Sequence, residues 1–197
     1  MSFELYLALL VFAVVSTATP GPNNLMLMTS GANFGFRRTI PHMLGITFGF
    51  TLMIALVGLG IMRVFDAWPP SYTILTALSV VYLLYLAWRI ATAAAPGQAE
   101  AGARPFSFLQ AAAFQWVNPK AWAMGLSAVT LYAPDRATPS VLIVAGTFGL
   151  VSLPLVSAWT AMGQQLRRAL TSLIRLRLFN GVMATLLVLS MLPGLIN

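Results

Sequence analysis

The sequence has no cysteine, a single histidine and only four acidic residues. Without cysteine there is no disulfide and no thiolate metal site. Charged residues of both signs make up 8% of the chain, against about 25% in soluble domains. A surface so poor in charge is unsuited to water. Instead, 59% of the 197 residues are hydrophobic. Lipid is the solvent that fits, and lipid requires every backbone N–H and C=O to be satisfied within the spanning structure. The apolar runs are continuous, without the alternation of barrel strands. The fold class expected is therefore all-α integral membrane, with the lipid bilayer as the surrounding partner.

The net charge of +7 does not point to nucleic acid. The basic residues fall in gaps between apolar runs, as the positive-inside bias requires. No lysine or arginine precedes the first apolar run, so a retained span is expected there in place of a cleaved signal.

A span needs about 20 helical residues. The first apolar segment, from Leu5, meets Pro20-Gly21-Pro22-Asn23-Asn24 and resumes from Leu25 to Phe36. Two prolines cannot sit in an unbroken helix there, so one discontinuous span is expected. Ile40 to Met62 gives a second span and Tyr72 to Trp88 a third. The fourth, Phe106 to Tyr132, is interrupted at Asn118-Pro119-Lys120. Ser140 to Met162 and Leu178 to about Ile196 complete six. On that count Arg37, Arg38, Arg89, Arg104, Arg167, Arg168, Arg175 and Arg177 share one side, against Arg63 and Arg136. This places both termini outside the cytoplasm and assigns Arg37 and Arg38 to topology, with a gating role open.

Pro20 and Pro119 lie 99 residues apart, about half the chain. Each half reads as one broken span followed by two more. Three is odd, so the second copy inserts upside down. Transmembrane helices arranged as an inverted 3+3 repeat are a transporter pattern. The single domain, residues 1–197, then divides into halves 1–95 and 106–197 with a linker at 96–105.

Each break exposes carbonyls on one side and free N–H groups on the other, attracting cations and anions respectively. A zwitterionic amino acid needs both. Pro20, Gly21 and Pro22 shape the first break. Asn23, Asn24 and Asn118 carry amides that donate and accept, against a plain capping role. Lys120 is an ionisable residue within a span, functional by default, facing a substrate carboxylate or changing charge. Gln110 and Gln115 precede the second break, lining a polar path or bonding between helices. His42 opens the second span and suits an interfacial position better than a titrating one. No metal set and no cofactor motif is present, and no nucleophile with a base, so neither an enzyme nor a cofactor is expected.

Pro20-Gly21-Pro22-Asn23, Gly35-Phe36-Arg37, Gly45 with Gly49, and Asn118-Pro119-Lys120 together resemble the lysine-exporter (LysE/RhtB) family of bacterial amino-acid exporters. The resemblance covers essentially the whole chain. Leu86 to Thr92 and Gln115-x-Val117-Asn118 with Lys120 are most similar to its cysteine/O-acetylserine exporter branch. Thr39, where glycine is usual, and Leu131-Tyr132-Ala133-Pro134, in place of a Pro-Gln pair, depart from the wider family. The resemblance implies a carrier in the bacterial inner membrane that exports a small neutral amino acid or derivative, driven by the proton motive force. Cysteine, O-acetylserine, homoserine and threonine stay open as substrates. A passive channel or a cation exporter is the alternative, though no acid lies deep in any span. Gly31-x-x-x-Gly35 and Gly45-x-x-x-Gly49 allow close helix packing within one chain or in a homo-oligomer.

Overall fold

The computed structural model describes residues 1–92, 104–168, 170 and 172–190, and all regular structure among them is helical. Helix α1 spans Phe3–Ala18 and starts where the Ser2 hydroxyl accepts the Leu5 amide. Pro20 and Pro22 cannot donate to a helical ladder, so α1 stops and α2, Pro22–Phe34, restarts at a bend of 54°. Gly35 separates α2 from α3, Phe36–Gly58, with φ of +82°. That left-handed value disfavours any side chain. The short α4, Met62–Ala67, leads to α5, Pro70–Ala91.

The second half opens with α6, Phe108–Phe114, held at its start by a reciprocal capping box between Ser107 and Gln110. A 3-10 turn, Gln115–Val117, carries the chain to α7, Pro119–Tyr132, whose first residue needs no amide proton. Helix α8 runs Thr138–Arg167 and α9 runs Leu173–Leu189.

Helices α3, α5 and α8 are each long and apolar enough to cross a membrane, and the bent α1–α2 pair makes a fourth candidate span. Both expected breaks are present. The expected boundaries shift: the second span starts at Phe36 and not Ile40, so Arg37 and Arg38 lie in its first helical turn. Arg167, Arg175 and Arg177, expected in a loop, lie within the ends of α8 and α9. The 96–105 linker falls almost wholly outside the described residues, as does the chain beyond Ser190.

Helix α2 packs along α8, and α3 packs on both α8 and α6. Helix α1 rests on α8 and α7, while α5 pairs with α9. Glycine brings these backbones together. A Cβ on Gly31 would land on the Thr160 carbonyl, and one on Gly163 on the Met28 carbonyl. On α3, a Cβ at Gly45 would meet the Phe108 carbonyl and one at Gly49 would lie 2.5 Å from Ala112 Cα. Gly31, Gly45 and Gly49 are therefore spent on contacts inside one chain. The outer surface is apolar, with Leu150 and Ile174 each 78% exposed, as suits a lipid-facing wall.

Candidate functional site

The two breaks meet. Gly21, Asn23 and Asn24 from the first and Asn118 and Lys120 from the second line one narrow cavity of about 30 Å³. This is room for at least one water. Ser16 and Thr17 of α1, Ile46 and Phe50 of α3, and Ser152 of α8 complete its walls.

Lys120 decides the character of the site. Its Nζ donates to the Thr19 carbonyl at 2.7 Å, the Thr19 hydroxyl at 2.9 Å and the Pro20 carbonyl at 3.3 Å. The Thr19 hydroxyl gives its own proton to the Ser16 carbonyl at 2.8 Å, so it accepts from the lysine. A side chain from α7 thus joins Asn24 on the C-cap carbonyl of α1, Thr19, and reaches on to the Pro20 carbonyl in the break. Lys120 lies in the first turn of α7, where the helix dipole disfavours a cation, and at the end of α1, where it favours one. The stem reaches across because Gly21 has no side chain: a Cβ there would lie 2.6 Å from Lys120 Cδ.

Asn24, buried, donates through Nδ2 to both the Thr17 and Thr19 carbonyls at 2.8 Å. Its role is to finish the end of α1. Asn23 and Gln115 form a reciprocal amide pair: Asn23 Nδ2 donates to Gln115 Oε1 at 2.8 Å, and Gln115 Nε2 returns a bond to Asn23 Oδ1 at 3.2 Å. Gln115 Nε2 also donates to the Ala111 carbonyl at 2.9 Å. The break in one half is thereby tied to the break in the other by two separate links.

Asn118 is 2% exposed, and its Oδ1 has no hydrogen-bond partner. It makes no side-chain cap for α7, which removes the capping account for this residue. A buried unpaired acceptor costs about 1–3 kcal/mol. The Thr17 hydroxyl oxygen is likewise buried without a partner.

Pro20 contributes only its carbonyl, and Pro22 is buried as the first residue of α2. Arg37 and Arg38 stay exposed away from the cavity, with the Arg38 guanidinium 5.7 Å from the Phe34 ring. Gln110 is taken up by its capping box and lines no path. His42, expected at an interface, is fully buried, its ring 5.3 Å from that of Phe106 and neither nitrogen bonded. The hydrophobic packing of α3 on its neighbours carries this position inward. Ser16, Thr17 and Ser152 were not among the expected site residues. Ser152 lies two positions before Pro154, but Thr147, Ser157 and Thr160 share the same span, so nothing in the sequence set it apart.

No acid lines the cavity. Asp66, near the end of α4, accepts from Tyr72, Asp135, in the turn before α8, accepts from Ser140, and Glu4 lies in the first turn of α1. The site thus presents one cation, two buried oxygens without a partner, Asn118 Oδ1 and Thr17 Oγ1, and further amides and hydroxyls, without a nucleophile–base pair.

Residues 14–191 match the family model described as LysE type translocator. The chain belongs to this family. It is a transporter and not an enzyme, and its apolar helices make it a multi-pass membrane protein. Among curated relatives, the cysteine/O-acetylserine efflux protein of Escherichia coli (strain K12) is 30% identical over 180 residues, covering 85% of this chain and 87% of the relative. The protein of the same description from Salmonella typhimurium (strain LT2) is 29% identical over 169 residues, covering 80% and 82%. That of Shigella flexneri is 30% identical over 169 residues, covering 80% and 81%. No solved structure matches the chain.

Proposed function

We propose that this translocator is a secondary exporter of small neutral amino acids or their derivatives, working by alternating access in the bacterial inner membrane. The observation that carries the reading is the pairing, in one cavity, of the Lys120 ammonium with the unfilled Asn118 Oδ1. An amino acid brings the complementary groups. Its carboxylate supplies the counter-charge that Lys120 lacks among the cavity residues, and its ammonium gives Asn118 a donor. Asn23, which lines the cavity and is paired with Gln115, supplies a further amide. The LysE type match and the efflux relatives support the direction and the substrate class.

The architecture proposed is six spans in an inverted 3+3 repeat, halves 1–95 and 106–197, both termini periplasmic. The packing supports it. The broken pair α1–α2 packs on α8, and the broken pair α6–α7 packs on α3, the same relation with the halves exchanged. Helices α3 and α8 pair with each other, as do α5 and α9. In this reading loading separates the halves on one side, which the two cross-break links oppose until substrate replaces them. The proton motive force is the proposed driving force.

The test is efflux from proteoliposomes loaded with labelled O-acetylserine, cysteine, homoserine or threonine, with and without an imposed proton gradient. Saturable, gradient-sensitive efflux with counterflow, lost in Lys120→Ala, supports the carrier. Non-saturable flux identifies a channel. No efflux of any of the four from folded protein overturns the amino-acid reading.

A further inference from the structure

We infer that the end of α1 is a monovalent-cation cage, and that Lys120 is its resident cation, tethered through α7. The inference deepens the proposed site without depending on which substrate is carried. Three oxygens surround Nζ: the carbonyls of Thr19 and Pro20 and the hydroxyl of Thr19, at 2.7, 3.3 and 2.9 Å. All three act as acceptors, since the hydroxyl proton is committed to the Ser16 carbonyl. Three acceptors match the three protons of an ammonium one for one. None of them carries formal charge, so the cage selects a single positive charge through dipoles, aided by the negative end of α1.

The cage is built and does not arise from a chance reach of a flexible side chain. Asn24 fixes the Thr17 and Thr19 carbonyls with two bonds of 2.8 Å. Gly21 leaves the channel through which the lysine stem passes. Pro22, next in sequence, has no amide proton to compete for those carbonyls. Remove the side chain of Lys120, and the same oxygens face a vacated, partly solvated space. Neutral carbonyl oxygens of this kind coordinate alkali cations, and an ammonium ion donates to the same acceptors.

The consequence is a division of labour. Half-helix ends of this kind can coordinate a free cation. This chain supplies its own, so its break is set by a covalently linked charge, and the wild-type site has no vacancy for sodium, potassium or ammonium. A variant without the lysine acquires a dependence on such ions.

The experiment uses purified full-length wild type and Lys120→Ala in detergent. Melting temperature is followed against ammonium, sodium and potassium chloride. N-methylglucamine chloride, too large for the cage, matches the ionic strength. The expected result is a saturable rise for the variant of about 3–6 °C at ten times the apparent Kd in at least one small cation. Wild type should respond identically to small and large cations. A folded variant that does not distinguish small cations from N-methylglucamine overturns the cage. Where the variant fails to fold, the yield of monodisperse protein is compared between ammonium and N-methylglucamine. Recovery in ammonium alone supports the cage, and equal failure in both overturns it. Because this readout needs no transported substrate, a wild type that exports none of the amino acids tested leaves the cage standing and removes only the transport reading.

Discussion

Gly49→Ala tests whether the α3–α6 contact holds the second break in place. The added Cβ would lie 2.5 Å from Ala112 Cα, 2.9 Å from its Cβ and 3.0 Å from its carbonyl oxygen. Carbon atoms rest at about 3.5–4.0 Å, so the helices must part by roughly 1 Å. Two of the three obstructing atoms are backbone, and no rotamer change relieves them. Overpacking of this kind costs about 1–3 kcal/mol. At about 2–4 °C per kcal/mol for a chain of this size, the melting temperature should fall by about 4–8 °C for a cost near 2 kcal/mol. Gly45 faces the same short helix, through Phe108 and Ala111. One outward movement of α6 relieves both clashes, so the Gly45→Ala, Gly49→Ala double variant should lose less than the sum of the singles. Gly146→Ala is the control, because a Cβ there meets nothing within 4 Å. It should be neutral or gain up to about 1 kcal/mol from helix propensity. The assay is thermal unfolding in detergent, with efflux measured in parallel. A Gly49→Ala protein that melts with wild type would refute the close approach of α3 and α6.

Three further outcomes follow from the site. Asn118→Leu removes a buried acceptor that has no partner, so melting should be unchanged or raised, while the efflux KM rises at least about tenfold for loss of a bond to a charged group; a large drop in melting temperature with normal KM reverses the assignment. Asn23→Leu strands Gln115 Oε1 and should cost about 1–3 kcal/mol, much of it recovered in the double variant with Gln115→Leu, as a double-mutant cycle would show. The chain has no cysteine, so Ser2→Cys and Gln165→Cys, both at exposed positions, can be labelled singly in whole cells: an impermeant thiol reagent should reach the first and not the second, and the opposite pattern overturns the orientation.

The two breaks were legible because proline acts locally: Pro20, Pro22 and Pro119 interrupt a helix whatever surrounds them. The chemistry at each break was legible only in kind. Lys120 stood out as a charge inside an apolar run, but its partners are carbonyls about a hundred residues away, and sequence offers no sign of which carbonyls a neighbouring helix leaves free. Asn118 could be read as a cap or as a ligand group, and only the unfilled Oδ1 separates the two. Gly45 and Gly49 announced a close approach without naming α6 as the partner, while the Gly163 contact with α2 passed unnoticed. The burial of His42 was not legible, because a position near the start of α3 reveals nothing about which face of that helix turns inward.

Lys120 ties the voltage dependence of the carrier to how far this side chain moves. Its ammonium sits among neutral oxygens, and no acid lines the cavity to cancel it. Moving one such charge across a membrane takes about 2.3 kcal/mol per 100 mV. If the ammonium remains on the end of α1 as the halves rock, it crosses little of the electric field and the empty carrier moves almost no charge. If it leaves the cage and travels, each turnover carries a transient current even without substrate. The size of that current therefore measures how far the lysine moves.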